Sequence, residues 1–255
     1  MEIRVFPDLK ELSCCAAEVF ARLARKSFAV NKNRFTVALS GGLTPKSLYQ
    51  KLASEDESFH NSIEWNKVHL FWSDERCVAP ASNESNFKTA LDNLIRPLRI
   101  SAMNYHRLKG ELEPQAAATE YERLLRLYFN LKEPDVPRFD LILLGMGADG
   151  HTASLFPGNE VLAETTRLVA APFVEKFKTH RLTFTPPVIN HAANVIFLVA
   201  GADKADALQA ILEGEHLPEK YPSQIVKPSN GKLLFLADEA AAQNLSPHRV
   251  KAGTN

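Results

Sequence analysis

Six apolar runs of strand length recur along the chain, at residues 3–6, 35–39, 68–72, 141–144, 195–200 and 233–237. Between most of them lie longer stretches, at 9–30, 45–53, 86–95, 115–128 and 204–212, in which apolar residues return at spacings of three and four. A short unbroken apolar run fits a strand buried on both faces, and the three-four spacing fits an amphipathic helix. Their alternation predicts βαβ units. The expected fold class is therefore α/β, a mostly parallel Rossmann-like sheet with helices on both faces.

Punctuation along the chain agrees. Asp8 can cap the first helix, Pro114 suits the first turn of another, and Pro134 with Pro137 ends the segment before the run at 141–144. No internal repeat, low-complexity tract or flexible linker interrupts the pattern. One domain over residues 1–245 is expected, followed by a flexible tail at 246–255 that contains Pro247 and Gly253.

Composition narrows the class. Of the 255 residues 45% are hydrophobic and 24% charged, with 30 basic against 30 acidic, the profile of a globular chain with no bulk field for nucleic acid or an anionic membrane. A chain of this size buries roughly 70 to 75% of its unfolded surface, so a large core is available. Cys14, Cys15 and Cys77 form no C-x-x-C pair and read as buried reduced thiols. The opening MEIRVFPDLKEL lacks a basic segment followed by an apolar one, and no run approaches ~18 apolar residues. Neither secretion nor membrane insertion is expected, and a cytoplasmic location follows.

In an open parallel sheet ligands bind beyond the carboxyl ends of the strands, so the residues just after each apolar run carry the chemistry. Four exits are polar: Ser40-Gly41-Gly42-Leu43-Thr44-Pro45, Ser73-Asp74-Glu75-Arg76, the segment from Gly145 to His151, and Gly201-Ala202-Asp203-Lys204. All four are expected at one sheet edge. In the first, the paired glycines let backbone approach a ligand, Thr44 can serve as an N-cap and Pro45 as the first helical residue, leaving free N–H groups for an anion such as phosphate. It lacks the Walker A spacing. In the second, two acids and a guanidinium on consecutive positions cannot all point one way; one acid would orient a hydroxyl or water while Arg76 grips phosphate.

The third exit formally satisfies G-x-G-x-x-G, but His151-Thr152 and then Pro157-Gly158 follow where a dinucleotide site needs a helix. The loop is expected instead to shape backbone around a small ligand and aim His151 into it, a natural general base near neutral pH. The remaining histidines, among them His60, His69, His106, His180, His191 and His216, show no metal-binding spacing, and no G-x-S-x-G elbow marks a serine hydrolase. No cofactor and no metal are expected.

Taken in order, SGGLTP at 40–45, SDER at 73–76 with NESNF at 83–87, LGMGADGHTASLFPG at 144–158, RLTFTPP at 181–187 and GADK at 201–204 resemble the 6-phosphogluconolactonases. The resemblance spans most of the chain. It implies a fold of the glucosamine-6-phosphate deaminase and ribose-5-phosphate isomerase type. The implied activity is hydrolysis of 6-phospho-D-glucono-1,5-lactone to 6-phosphogluconate in the pentose phosphate pathway, without metal or nucleotide. By resemblance, Ser40, Gly41, Gly42 and Thr44 with Arg76 and Lys204 would hold the phosphate, Arg181 would lie near the substrate, and Asp74 and His151 would flank the lactone.

The deaminase relatives carry a glutamate five residues after the histidine; this chain has Phe156 there, which favours the lactonase over an isomerase-deaminase. His151 is expected to activate the attacking water, with Asp74 or Asp149 as its partner. Backbone N–H groups near the glycines or Arg181 would face the oxyanion. Two competitors remain: a sugar-phosphate isomerase or deaminase, and a sugar-phosphate sensor of the transcriptional-regulator kind. The sensor would need an added basic helix-turn-helix, for which the pattern beginning at Ile3 leaves no room. The expected partner is a phosphosugar lactone, and the oligomeric state is open, with a monomer favoured.

Overall fold

The computed structural model describes residues 1–30, 34–55 and 62–247, together with the backbone of Lys251–Ala252. Each apolar run of the sequence becomes a strand of one parallel sheet. The strands are β1 (Glu2–Phe6), β2 (Phe35–Leu39), β3 (Val68–Trp72), β5 (Leu141–Gly145), β9 (Asn194–Val199) and β10 (Lys232–Asp238). With the two-residue β11 (Lys251–Ala252) the spatial order is β11-β1-β10-β9-β5-β2-β3, every pairing parallel. Every residue of β2 is buried, as are the first four of β5, which explains why these strands read as continuous apolar runs without alternation.

The helices are α1 (Leu9–Ala29), α2 (Leu43–Ala53), α3 (Asn86–Ala90), α4 (Pro114–Phe129), α5 (Pro186–Asn190), α6 (Ala205–Glu213) and α7 (Glu239–Ala242). Asp8 caps α1 by accepting the Glu11 N–H at 2.9 Å, and Pro114 opens α4, both as the sequence indicates. The expected helix at 86–95 splits into α3 and a π-helical turn, Leu91–Ile95. Helices α1 and α2 pack together, and the right-handed rule for parallel crossovers puts them on one face of the sheet and α4 and α6, whose connections run the opposite way, on the other.

Periodicity gives no sign of a second, antiparallel sheet. It runs β4 (Asp74–Arg76), β8 (Thr179–Phe184), β6 (Val169–Ala170), with β7 (Phe173–Val174) also pairing β8. β4, β6 and β7 are only two or three residues long, and the first half of the six-residue β8 is polar, so none stands out as an apolar run. The tail expected at 246–255 is interrupted by β11, which lies along β1; residues 248–250 and 253–255, like His60, lie outside the described residues.

Connections from β1 through β2 to β3 move toward one edge of the sheet, and those from β5 through β9 to β10 move toward the other. Neighbours β2 and β5 flank the point where the direction reverses. The carboxyl ends of these two strands are where an open α/β sheet leaves a crevice.

Candidate active site

A cleft of about 360 Å³ occupies that crevice. It draws on all four polar exits: Ser40 to Pro45 after β2, Asp74 and Arg76 on β4, Gly145 to Gly147 and His151 after β5, and Asp203 and Lys204 after β9. The volume lies in the ordinary range for a small-molecule site.

The loop after β2 is pinned from below by Tyr49 of α2, whose buried hydroxyl donates to the Ser40 carbonyl at 2.6 Å. Burial pushes the Tyr49 phenol far above its ordinary value, so it stays a neutral donor. The helix start is displaced from expectation. Gly42, at φ 108°, is the N-cap, with Leu43 the first helical residue and Thr44 and Pro45 inside the first turn. Only glycine takes that φ without strain, and proline is tolerated there because its missing N–H would have no helical acceptor. No side chain caps α2, so its first-turn amides and positive dipole end front the cleft. The Ser40 hydroxyl is buried without a hydrogen-bond partner at the same wall.

Strand alternation resolves the crowded Ser73 to Arg76 segment. Asp74 and Arg76 face the cleft, and Glu75 points away. The Glu75 carboxylate accepts from the backbone N–H groups of Arg76 (2.8 Å), Asn86 (2.7 Å) and Phe87 (2.8 Å) and from the Ser85 hydroxyl (3.0 Å). It is the anchor for the start of α3, and its pKa is raised because burial outweighs those hydrogen bonds. Asp74 accepts from the Ser154 hydroxyl at 2.9 Å and the Asn86 amide at 3.2 Å, which fixes its carboxylate on the cleft wall. The Arg76 guanidinium donates through Nη1 to the Glu84 carbonyl and has no carboxylate partner among the described residues.

After β5 the chain enters turns, not a helix, so the glycine pattern lacks the structure a dinucleotide would need. The turns bring Asp149 Oδ1 to 2.5 Å from His151 Nδ1. Burial acts to raise the Asp149 carboxyl, but hydrogen bonds from His151 and from Lys176 Nζ, at 2.9 Å on the other oxygen, outweigh it and hold Asp149 well below the ordinary carboxylate range. A carboxylate on Nδ1 selects the tautomer whose Nε2 is free to accept a proton. Gly147 makes the arrangement possible: a Cβ there would lie 2.0 Å from His151 Nδ1 and 2.6 Å from Asp149 Oδ1.

Two expected residues lie outside the cleft lining. Asp149 stands behind His151 and, of the two acids open as its partner, is the one hydrogen-bonded to it. Arg181 sits across the β4–β8 ladder from Arg76. Its guanidinium lies 5.0 Å from the centre of the Phe177 ring, and its pKa is lowered by burial and then by the Arg76 charge. Lys204 reaches the cleft but is paired with Asp203 at 2.7 Å. Among the described residues no three His, Cys, Asp or Glu side chains are grouped to hold a metal ion, and no helix is long and apolar enough to cross a membrane.

Residues 7–235 match the family model described as glucosamine-6-phosphate isomerases/6-phosphogluconolactonase. This chain belongs to that family. A 6-phosphogluconolactonase from Nostoc sp. is 39% identical over 246 residues, covering 96% of this chain and 98% of the relative. The solved 6-phosphogluconolactonase from Trypanosoma cruzi superposes with a TM-score of 0.84 at 30% identity, covering 96% of this chain and 97% of that one. A solved monomeric glucosamine-6-phosphate deaminase shares the fold, with a TM-score of 0.78 at 20% identity over 96% of this chain and 100% of that one.

Phe156 is the residue on which the sequence resemblance favours a lactonase over an isomerase-deaminase. Here the Phe156 ring stacks on the His151 imidazole at 4.2 Å and 24°. Three residues that support this cleft carry no individual signal in the sequence. Asn86 was visible only as part of the NESNF run; it is buried, donates to both the Asp74 carbonyl (2.9 Å) and carboxylate, and leaves its own Oδ1 unpartnered. Ser154 reads as an ordinary turn serine, and Lys176 lies on a strand connection that periodicity does not reveal.

Proposed function

We propose that the protein hydrolyses 6-phospho-D-glucono-1,5-lactone to 6-phospho-D-gluconate, the second step of the oxidative pentose phosphate pathway, with water activated by His151. One observation carries this most: a single cleft holds a histidine oriented by a carboxylate beside an anion site built from uncapped helix amides, Arg76 and Lys204. The substrate is carried over from the Nostoc sp. and Trypanosoma cruzi relatives, both 6-phosphogluconolactonases.

The phosphate is assigned to Ser40, Gly41, Gly42 and Thr44 with Arg76 and Lys204. Arg181 adds positive potential from behind Arg76, since it does not line the cleft. Phosphate binding far from the reacting carbon supplies energy that positions the lactone carbonyl. His151 Nε2 takes a proton from water as its oxygen bonds to C1, and the carbonyl electron pair moves onto oxygen to give a tetrahedral oxyanion. Backbone N–H groups near the cleft glycines are assigned to that oxyanion, Gly147 and Gly150 excepted because their N–H groups already donate to the His151 carbonyl at 2.9 Å and the Gly147 carbonyl at 3.0 Å. Its collapse breaks the bond between C1 and the ring oxygen, and His151 returns the proton to that oxygen, leaving the open-chain acid. Asp149 holds the imidazole throughout, and Asp74 orients sugar hydroxyls. A general base of this kind contributes typically ~10²- to 10⁴-fold.

Hydrolysis by this route calls for no metal. We favour a monomer and assign the protein to the cytoplasm. Phe156 places an apolar ring where an acid–base relay for ring opening would need a carboxylate, which argues against deamination. The test is to generate the lactone in situ with glucose-6-phosphate dehydrogenase and follow its disappearance. Acceleration over buffer is expected, with no ammonia released from glucosamine 6-phosphate. A rate equal to buffer, or ammonia release, would remove the assignment.

A further inference from the structure

The connection between β7 and β8 forms a hairpin tip, a 3-10 turn at Glu175–Phe177 followed by Lys178 at φ 52°. The tip reaches the catalytic loop at two points. Lys176 Nζ lies 2.9 Å from Asp149 Oδ2, and the Phe177 ring packs edge-on against Phe156 at 5.7 Å, which in turn stacks on His151. Asp149 is thereby held on both oxygens, Oδ1 by the ring and backbone N–H of His151 and Oδ2 by Lys176.

We infer that Lys176 is a positioning residue for the proposed hydrolysis: by fixing Asp149 Oδ2 it sets both the orientation of the His151 imidazole and the ease with which that ring takes a proton. The inference rests on His151 being the base. The Phe156 ring on the face of the imidazole offers no hydrogen bond, so Asp149 is the one carboxylate bonded to His151 among the described residues. A carboxylate shared with an ammonium attracts a proton on the imidazole less strongly than one left to the histidine alone. Glu175 does not compete for Lys176, because it is paired with Lys178.

Asp74, Arg76, Asp203 and Lys204 line the same cleft as His151; Asp74 is held by Ser154 and Asn86, and Asp203 by Lys204. Tyr221 packs against Gly150 from the far side, and Arg181 faces Phe177. Lys176 is the cation that touches the partner of His151 directly. It is more than half exposed, at 59%, so replacing it leaves the core intact.

The experiment follows the His151 ring by NMR titration without substrate, the signal being assigned by its loss in His151→Gln, alongside pH profiles of kcat/KM. In Lys176→Met the midpoint of the imidazole titration and the acid limb of the profile should both move to higher pH. The expected shift is roughly half to one pH unit, the size of one unit charge removed at close range in a partly wet site. Lys176→Arg should stay at the parent position. Titration curves that coincide for parent and Lys176→Met, or a shift equally large in Lys176→Arg, would overturn the inference. If the parent shows no lactone hydrolysis, the functional assignment fails while the ring titration still decides the role of Lys176.

Discussion

Gly147 owes its place to contact and not to conformational freedom. An added methyl would overlap the His151 ring nitrogen and the Asp149 carboxylate, both of which must lie flat against this stretch of backbone. Gly147→Ala should therefore fold normally and lose catalysis, since displacing a reacting group by about 1 Å costs on the order of 10²-fold. Steady-state kinetics with a melting curve checks this, and a kcat within a few-fold of the parent would contradict the geometry. Gly41 is constrained by a similar contact: a Cβ there would meet Asn86 Oδ1 at 1.8 Å. Such constraints explain why the sequence displayed glycines at both turns without showing what they accommodate. The partners come from residues far along the chain, or from ring orientations that no spacing encodes.

Among the elements, β4 does the most for the site with the fewest residues. Its three positions send Asp74 and Arg76 into the cleft and Glu75 back to hold the start of α3. Removing that buried acceptor in Glu75→Ala leaves three backbone amides and a hydroxyl unsatisfied, and should cost about 2–4 kcal/mol of stability. Glu75→Gln, which keeps an acceptor, should cost less. Equal unfolding midpoints in urea for Glu75→Ala and the parent would show that α3 does not depend on it.

On β3 and the chain alongside it, His69 and His106 stack with ring centres 5.7 Å apart. Burial and then the His69 charge push His106 from 6.5 down to about 4, and burial and then the Arg34 charge lower His69. Both are held neutral when folded, while the unfolded chain takes protons first. Their contribution is complete above pH 6.5 and fades as pH falls toward about 4. His106→Phe should flatten the acid side of the stability curve in that window. Parallel curves for variant and parent would contradict the assignment.

The parallel strands and long helices were legible because their apolar periodicity is set by the large core they share. The antiparallel strands β4, β6, β7 and β8 were not, because most of them are only two or three residues long and are defined by their partners. The start of α2 was misplaced by two residues because Pro45 suits N1 locally, while the backbone at Gly42 begins the helix earlier.

Across the whole molecule, one reversal of sheet direction between β2 and β5 gathers residues from four strand exits into one cleft. That placement was readable because the carboxyl-end rule needs only strand positions. The hairpin tip bearing Lys176 was not, since it reaches Asp149 from a different sheet. In the proposed function, anion capture is assigned to the α2 start, Arg76 and Lys204, and proton transfer to His151. The decisive measurement compares the parent, His151→Ala and Arg76→Ala for lactone disappearance and for 6-phosphogluconate binding by calorimetry. The expected result is a fall in kcat of ~10²-fold or more in His151→Ala with product affinity retained, and a KM raised on the order of tenfold in Arg76→Ala. Near-parent turnover by His151→Ala would contradict the central assignment.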